Sequence, residues 1–589
     1  MPGPDSLGIA VESEDQNTSS MSTASQNGGS EITTVPAFSE ESFFELRNQQ
    51  YNQGVLGDIN VRKAIFHAID RKRITVELLG GYGEVQESIF NPDTEYYYPA
   101  WQEYDYDPEK AMEYLKRAGY STENPLYLTI GTNADSQSRQ KIEDIIVENL
   151  DSIGIKLWVS NEEPVDWFVD YLKTGNYELG IWAISTPDFL TLNSYFGSNK
   201  IPSLESDENK NCNNYYWYND KDFELELEKI LDESVPDAKK QLSDELQDQL
   251  SENAFFLPLY SRLFAVAYNK KIKNIDINTL SGSFFKNISE VDMDIPDSEL
   301  QSQQSEIIAG SENEFGESSG QVKYIKSLVI GYQNEPYCFN PLIPDNSERE
   351  NINELIVKGL WEKKEFGQYE PFLAESVSAG EVNNNETDGI KMGLKAVVKL
   401  KDNIFWQDGS PVTSIDVVET ILAAKNSSTV HGYDGVSYGI IKSIDVIDNK
   451  QFMVVFNEYS YDWKSLFNVI FPAKLLEDAN IEDLFYEDVF GCGPFKLKEW
   501  VMGEYILLER NSFFSGKKPN IDAIKIIFNS DINYLLGMLK KGEIDVLSLP
   551  VDIDLLKEIE EDDSLNLMVK PGNLIEHLAI CLKPENNSQ

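Results

Sequence analysis

The sequence predicts an α/β protein on the basis of three observations. Helical and strand patterns alternate along the chain, as they do in layered folds where helices cover a sheet. Of the 589 residues, 41% are hydrophobic, which is enough for large buried cores and argues against wholesale disorder. Two polar tracts, residues 1–33 and 291–321, leave two blocks, 34–290 and 322–589, and each block carries both kinds of pattern. We interpret the first tract as disordered and the second as an acidic, flexible linker.

The first block opens with predicted helices that have clear start and stop signals. Residues 59–79 carry apolar side chains near helical spacing, and a Gly-Gly pair ends the pattern. Asp107 is expected to cap a helix that starts at Pro108 and stops before Gly119. These local signals predict helices ahead of the first strand.

Strands and acidic helices follow in the rest of this block. The segments LYLTIGT and IKLWVS alternate as strands on either side of a helix. A long acidic helical stretch covers 221–253 and is interrupted near Pro236. The block closes in the apolar segment AFFLPLYSRLFAVAY, a predicted strand pair in which Pro258 indicates a sheet edge or a bulge.

The second block shows the same alternation. Its predicted strands are SLVIGY, KAVVKL, YILLERN, IDAIKIIF and DVLSL, and the segment INYLLGMLKKGEI predicts a helix. Asp408-Gly409 marks a turn, after which Thr413 is expected to cap a helix with Asp416 three residues on. Both blocks therefore predict mixed α/β folding.

The charge balance excludes whole classes of partner. Fifty basic and 100 acidic side chains give a formal net charge of −50, which repels nucleic acids and anionic membranes. The chain contains no run of about 18 apolar residues, so no bilayer-spanning helix is expected. The first residues lack the basic and apolar regions of a secretory signal, so we expect none in this sequence.

Catalytic and metal-binding signatures are scarce. The three histidines, His67, His431 and His577, form no i, i+4 pair, and the sequence has no phosphate-binding loop and no CxxC pair. The stretch Gly435–Gly439 matches the G-x-S-x-G elbow, but the strand-to-helix context that the nucleophile needs is missing. We therefore predict no catalytic residue, no metal ligand and no cofactor.

Cys492 lies between Gly491 and Gly493, and this pattern indicates a close approach of the backbone to another group. Tight packing and a functional contact are both compatible with it. The sequence also leaves open whether any of the four cysteines are bridged.

Specific motifs in the second block point to a known family. The most specific is W-x-D-G-x-P-x-T-x-x-D-V, which starts at Trp406, followed by a G-x-G-P turn at 491–494. Further segments match in order: SLVIGYQNEPYCFNPL, INELIVKGLW, YEPFLAESV, LLERNSFF and KKGEIDVL. The block resembles the N-terminal half of the family 5 extracellular solute-binding proteins, the receptors of peptide and nickel ABC importers. This family usually has threonine where Cys492 stands.

The first block resembles the C-terminal half of the same family. DINVRKAIFHAIDRKRI is similar to the family's D-x-x-VR-x-AI-x-x-AIDR helix, and YDPEKAMEYLKRAGY and the closing FFLPLYSR are equally typical. Together the two resemblances cover nearly everything outside the polar tracts.

The two halves stand in reversed order, because the half that comes first in the family comes second here. Two segments, 35–48 and 569–583, both sit where the family has a strand that crosses between its lobes. The chain is either the tail of one receptor followed by the head of another, or a circular permutant whose halves build one receptor. We favour complementation of the halves, within one chain or in a swapped homodimer.

The resemblance implies a two-lobed fold of the type II periplasmic-binding-protein kind, with mixed sheets and flanking helices, which closes on its ligand by hinge motion. It implies a substrate-binding component of an ABC importer that takes oligopeptide-like solutes in an inter-lobe cleft and delivers them to permease subunits. It also implies an extracytoplasmic location, in the periplasm or at the outer face of the cell membrane, and no enzymatic activity. The alternative is a degenerate or fragmentary chain without a ligand that acts as a surface or interaction protein.

The resemblance also implies ligand-binding residues, through the family motif W-x-x-D-x-x-[DE]-P, whose first acid pairs with the amino terminus of a peptide. The matching stretch keeps Trp182 and Asp188, but Ser185 replaces the amine-pairing acid. Because a buried ammonium without a carboxylate is costly, either Asp188 takes over or the ligand lacks a free amino terminus. Tyr332 and Asn340, around the end of the second block's first strand, are further candidates.

Overall fold

The computed structural model describes residues 39–583, with gaps at 52–53, 203–211, 280, 286, 295–325, 344–346, 365–367, 385–390, 428, 431, 434–435, 458–459, 461, 478 and 487–488. The predictions of a disordered tract at 1–33 and of a linker at 291–321 therefore lie outside the described residues, apart from 291–294. Those four residues still belong to the folded part, because Asp292–Met293 is a short strand.

The helices and strands alternate along the chain. The helices are α1 Glu40–Tyr51, α2 Ile59–Ala68, α3 Arg71–Leu79, α4 Pro108–Arg117, α5 Gln137–Ile153, α6 Pro164–Asp166, α7 Phe189–Phe196, α8 Lys221–Asp232, α9 Pro236–Glu252, α10 Ser347–Ile356, α11 Ser414–Asn426, α12 Ala473–Leu476, α13 Ile532–Lys541 and α14 Ile553–Glu560. The strands are β1 Leu126–Gly131, β2 Ile155–Val159, β3 Leu179–Ser185, β4 Phe256–Asn269, β5 Ile272–Lys273, β6 Asp292–Met293, β7 Ser327–Tyr332, β8 Trp361–Lys363, β9 Tyr369–Pro371, β10 Ala374–Asn384, β11 Lys391–Leu400, β12 Gly432–Tyr433, β13 Val436–Ser437, β14 Ile441–Asp448, β15 Gln451–Phe456, β16 Phe495–Val501, β17 Tyr505–Arg510, β18 Ala523–Phe528, β19 Val546–Leu549 and β20 Leu565–Ile580.

The chain folds into two compact units that do not coincide with the two sequence blocks. The described residues of unit 1 are 39–186, 191–260 and 574–583, and those of unit 2 are 187–190 and 261–573. Each block thus supplies residues to both units. Both units combine helices with strands, so the predicted α/β class is confirmed.

The sheet of unit 1 has the strand order β4-β20-β3-β1-β2. Strand β1 pairs in parallel with both β2 and β3, whereas β20 runs antiparallel to β3. The carboxyl ends of β1, β2 and β3 therefore share one edge of the sheet. Since β1 connects to β2 on one side and has β3 on the other, this edge is a topological switch point, where α/β sheets commonly bind ligands.

The helix predicted at 59–79 is divided, so the prediction of one helix was wrong there. Ile69 and Asp70 separate α2 from α3, and the Asp70 side chain caps α3 by accepting the Arg73 amide at 2.9 Å. The Asp70 amide in turn donates to Asn149 Oδ1 at 2.9 Å. This second contact comes from α5, which is why the local pattern did not reveal the break.

Other predicted signals of the first block are confirmed. The Asp107 side chain accepts the Lys110 amide at 2.9 Å at the start of α4, and Pro236 begins α9. The closing segment forms one strand, β4, and not the predicted pair of strands. This strand lies between β19 and β20, but Pro258 precedes the residues that pair with β19, so Pro258 is at a local edge. Its carbonyl accepts a hydrogen bond from Arg71 Nη1 at 3.2 Å, so a side chain covers this edge.

Of the two segments expected to form a crossing strand, only one does so. Residues 569–583 lie largely in β20, which begins in unit 2 and ends in unit 1. Of the other segment the structure describes residues 39–48, and these form no such strand, because α1 starts at Glu40. The Ser39 hydroxyl accepts the amide of the third helical residue at 3.3 Å, and Phe43 packs on the sheet through Trp158, at 5.6 Å between ring centroids.

Unit 2 contains two larger sheets. One has the order β16-β17-β18-β7-β19-β4, in which β7 is parallel to β18 and β19 and β4 is antiparallel to β19. The other is antiparallel, with the order β10-β11-β15-β14. Helix α11 begins with the predicted capping box, since the Thr413 amide donates to Asp416 Oδ2 at 2.7 Å.

The turn around Cys492 is packed directly against α10. A Cβ atom on Gly491 would lie 2.0 Å from the carbonyl oxygen of Ile356, and one on Gly493 would lie 2.5 Å from that of Leu355. Burial raises the pKa of the Cys492 thiol to about 12, so the thiol stays protonated and unreactive. The sequence left open either tight packing or a functional contact at Cys492, and the structure supports tight packing.

Two further findings answer questions raised by composition. All four cysteines are free thiols, so none of them is bridged. Within the described part of the chain, no helix combines the length and the apolar content that crossing a bilayer requires.

Candidate functional site

Polar side chains gather at the carboxyl ends of the parallel strands in unit 1. We name this group the strand-end cluster and define it by its members: Thr132, Asn133, Arg139, Glu143, Asn161 and Glu576. Residues that follow β1 and β2 reach this edge because both strands run in the same direction. Helix α5 starts beside it and supplies two members, and β20 supplies the last.

A buried ion pair connects two parts of this cluster that are far apart in sequence. Arg139 Nε and Nη2 donate to the two carboxylate oxygens of Glu576, each at 3.1 Å, and Nη1 donates to Asn133 Oδ1. The Thr132 amide donates to Asn161 Oδ1 at 2.9 Å, which joins the ends of β1 and β2. Since the ion pair is bidentate and removed from water, losing either member would leave the other without its counter-charge.

Glu143 is the member of this cluster that titrates near neutral pH. Its Oε2 accepts from Asn161 Nδ2 at 2.7 Å, whereas its buried Oε1 has no hydrogen-bond partner among the described residues. Burial raises the pKa of Glu143 to about 7, against the hydrogen bond from Asn161 and with help from the negative charge of Asp144. The carboxyl group is therefore partly protonated under physiological conditions.

We expect Glu143→Gln to remove a pH dependence from the stability of unit 1. The pKa of about 7 in the folded state exceeds the ordinary value of 4.5, so wild-type stability falls as the pH rises from about 4.5 to 7. Glutamine does not titrate. The free energy of unfolding of the variant, relative to that of wild type, should therefore increase by about 2 kcal/mol between pH 4.5 and pH 8. Urea unfolding at both pH values measures this gain.

The control for that variant is Glu148→Gln on the same helix, because the Glu148 side chain is 66% exposed. It should change stability by less than about 0.5 kcal/mol, and equally at both pH values. If Glu143→Gln shows the same free-energy difference at pH 4.5 and pH 8, the raised pKa is contradicted.

The predicted ligand residues of unit 1 lie on β3. Trp182 is buried among aromatic rings, edge-on to His577 at 4.8 Å and 5.3 Å from Tyr216 between ring centroids. Burial lowers the pKa of His577 to about 3, so this imidazole is neutral. Ser185 ends the strand, and its amide donates to the Tyr195 hydroxyl at 3.4 Å. Trp182 is thus a core side chain, and its contact with a ligand stays a prediction.

Asp188 belongs to unit 2, where it joins a group that we name the acid–lysine cluster: Asp188, Lys363, Tyr369 and Asp462. Lys363 Nζ lies 3.4 Å from Asp188 Oδ2 and 3.3 Å from Asp462 Oδ2. Tyr369, directly opposite Lys363 in the β8–β9 pair, donates its hydroxyl proton to Asp462 Oδ1. Two buried carboxylates therefore share one lysine.

Tyr332 and Asn340 also lie in unit 2 and are buried. The Tyr332 ring stacks with Phe284 at 6.2 Å between centroids. Asn340 uses both ends of its amide within the fold, because Nδ2 donates to the Ile481 carbonyl at 2.7 Å and Oδ1 accepts the Leu342 amide at 3.0 Å. Their roles in ligand binding stay predictions.

Three important residues were missed by sequence reasoning. Glu143 and Asp462 gave no signal because 100 acidic side chains make any single acid uninformative. Lys363 could be identified only from the tertiary fold, which brings β8 next to the short segment 187–190.

Signatures of catalysis do not assemble in the described residues. Ser437, at the centre of the G-x-S-x-G stretch, is followed by a 3-10 turn and by β14 and not by the helix of a nucleophile elbow, while Gly435 lies outside the described residues. His431 lies outside them as well. The described ranges contain no group of three or more His, Cys, Asp or Glu side chains that could hold a metal ion.

Comparison with known protein families shows to which family this chain belongs. The model described as "Bacterial extracellular solute-binding proteins, family 5 Middle" matches residues 11–201 and 368–586, which together exceed half of the chain. The chain belongs to this family. The resemblance predicted from sequence motifs is confirmed, and the family consists of solute-binding proteins and not of enzymes.

Two curated relatives of the chain are named as peptide-binding proteins. The chain is 29% identical over 244 residues to the oligopeptide-binding protein AppA of Bacillus subtilis, and this match covers 40% of the chain and 42% of AppA. It is 25% identical over 281 residues to the dipeptide-binding protein DppE of the same organism, over 44% of the chain and 50% of DppE. The chain thus spans about half the length of the curated relatives that it matches.

Solved structures of similar proteins match a comparable share. The structure of AppA from Bacillus subtilis in complex with a nonapeptide is 26% identical, with a TM-score of 0.34, and the match covers 41% of the chain and 47% of AppA. The substrate-binding protein CtaP of Listeria monocytogenes is 24% identical, with a TM-score of 0.33, over 41% of the chain.

Proposed function

We propose that this protein is the substrate-binding component of an ABC importer, which binds oligopeptide-like solutes and delivers them to permease subunits outside the cytoplasm. The observation that carries the proposal is the family match over residues 11–201 and 368–586. The names of the relatives AppA and DppE, an oligopeptide-binding and a dipeptide-binding protein, support peptides as the ligand class. The ligand is proposed to bind in a cleft between two lobes that close around it.

Equilibrium binding tests this proposal directly. The protein is unfolded in guanidinium chloride to release any retained ligand, refolded, and exposed to a random pool of peptides two to nine residues long. Native mass spectrometry should then show complexes that carry peptide masses. A refolded protein with native circular dichroism that retains no peptide from the pool would contradict the proposal and favour the ligand-free surface protein.

The acid–lysine cluster favours ligands without a free amino terminus. Lys363 already provides the positive charge beside Asp188, so a peptide ammonium would have to displace that amine. Ser185, at the position of the family's amine-pairing acid, offers no carboxylate. We therefore expect an N-acetylated peptide to bind wild type at least as tightly as the same peptide with a free amino terminus.

Replacement of Lys363 should reverse this preference. In Lys363→Met the carboxylates of Asp188 and Asp462 lose the positive charge of Lys363, so the free-amine peptide should gain about tenfold in affinity over the acetylated one. Isothermal titration with both peptides measures the ratio. The matched control is Lys364→Met, because Lys364 pairs with Glu362 and Glu370 instead and should leave the ratio unchanged. Wild type that binds the free-amine peptide tenfold more tightly would refute the expectation.

A further inference from the structure

Each compact unit is assembled from two parts of the chain. We define the N segment as residues 39–294 and the C segment as residues 326–583, which residues 295–325 connect. Unit 1 consists of the N segment up to 260, apart from 187–190, together with the C segment from 574 onwards. Unit 2 consists mainly of the C segment, completed by residues 187–190 and 261–294 of the N segment.

In unit 1 the C segment contributes a strand to the middle of the sheet. Strand β20 lies between β4 and β3 and pairs with β3 from Leu574 opposite Ser185 to Ile580 opposite Leu179. The chain continues this pairing beyond the strand, since the Cys581 amide donates to the Glu178 carbonyl at 3.0 Å. Without the C segment, β3 and β4 would both expose unpaired backbone groups towards each other.

Side chains of β20 complete the interior of unit 1. Among the described residues Glu576 supplies the counter-charge of the buried Arg139, and His577 fills an aromatic site between Trp182, Tyr216 and Phe256. A charged and an aromatic side chain on successive residues of one strand face opposite sides of the sheet. The C segment is therefore recognised on both faces of the unit 1 sheet.

In unit 2 the N segment contributes in the same way. The end of β4 pairs antiparallel with β19, from Ala265 opposite Leu549 to Tyr268 opposite Val546. Next to this pairing, Lys271 Nζ lies 2.7 Å from the buried carboxylate of Asp545.

Residues further along the N segment add to the core of unit 2. Phe284 stacks with Tyr332 of the C segment, and the Ser283 hydroxyl donates to Glu354 Oε2 at 2.9 Å. The N segment is thus held by a strand pairing, by a charge pair and by aromatic packing. These are the kinds of contact that hold a protein core together and not those of an accidental surface contact.

We propose that the N and C segments are two complementary halves, and that the partner which each half fits is the other half of the same chain. Two strand-sized interfaces, one in each unit, join the same two segments. Once one interface forms, the second is intramolecular and benefits from a high effective concentration. The peptide link through 295–325 is therefore dispensable for holding the folded molecule together.

Cleavage of the folded full-length chain tests the proposal. A protease site is inserted between residues 305 and 306, the chain is purified intact, and it is cut until a denaturing gel shows two fragments only. Native mass spectrometry should find both fragments in one complex with the mass of a single chain. The melting temperature of the cut protein should fall by at least about 1 °C per tenfold dilution, whereas that of the uncut protein should not change.

Two variants sharpen the test. In the cut protein, Glu576→Ala removes a contact between the segments and should raise the dissociation constant of the fragments at least tenfold, whereas Glu558→Ala, within the C segment, should leave it unchanged. Fragments that separate after cleavage at micromolar concentration would overturn the proposal. A dimer of the uncut chain with paired segments from different copies would overturn the assignment to the same chain.

Discussion

Glu576→Ala should destabilise the uncut protein by about 3–5 kcal/mol. The substitution leaves the guanidinium group of Arg139 buried without the Glu576 carboxylate, and Asn133 is its remaining hydrogen-bond partner among the described residues. The cost arises from the isolated charge and not from the lost attraction alone, since burying an unpaired charge is unfavourable. Urea unfolding followed by far-UV circular dichroism gives the free-energy change.

A double variant distinguishes this cause from loss of packing. Arg139→Met combined with Glu576→Leu removes both charges together and should recover at least half of the stability lost by Glu576→Ala. The exposed pair Lys540–Glu558 is the matched control, and Glu558→Ala should cost less than about 1 kcal/mol. A loss of less than 1 kcal/mol for Glu576→Ala would show that the ion pair is not removed from water as described.

Gly491→Ala is expected to cost at least about 3 kcal/mol. The new methyl group would lie 2.0 Å from the carbonyl oxygen of Ile356, and a backbone atom cannot move aside as a flexible side chain can. The turn itself is also fixed, because the Gly491 amide donates to Gln407 Oε1 and its carbonyl accepts the Gln407 amide, both at 3.0 Å. Thermal and urea unfolding both report the loss.

Gly537→Ala is the same chemical change, but it is expected to have the opposite effect on stability. Gly537 lies inside α13, and a Cβ atom there meets nothing within 4 Å. Alanine is the better helix former, so this variant should gain about 0.5–1 kcal/mol. Equal effects of the two glycine substitutions would contradict the close approach at Gly491.

Local signals in the sequence identified much of the secondary structure. The cap at Asp107 and the capping box of Thr413 with Asp416 are confirmed, because a cap depends on residues within one helical turn. The break at Asp70 was missed because it depends on Asn149, which is close only in the folded chain. Local sequence therefore predicts helix ends well when the contacts that fix them are also local.

The candidate site was far less predictable. The family motif led to Asp188, but its partner Lys363 lies on a strand of the other sequence block. The segment 187–190 belongs to unit 2, although the residues on either side of it belong to unit 1. No pattern in the sequence predicts this assignment. Charge partners across such distances follow from chain topology, which spacing along the sequence does not encode.

The pairing of β20 with β3 has a consequence for the accuracy of folding. In the register described, Glu576 is opposite Ala183 and His577 is opposite Trp182. Side chains alternate along a strand, so a slip of one residue would turn the carboxylate towards the face of the aromatic site and the imidazole towards the face of Arg139. Both faces would then be wrong at once. Because Glu576 and His577 are adjacent and differ in polarity, a slipped register is unfavourable on both faces of the sheet. A misaligned strand is therefore expected to dissociate and pair again in the correct register.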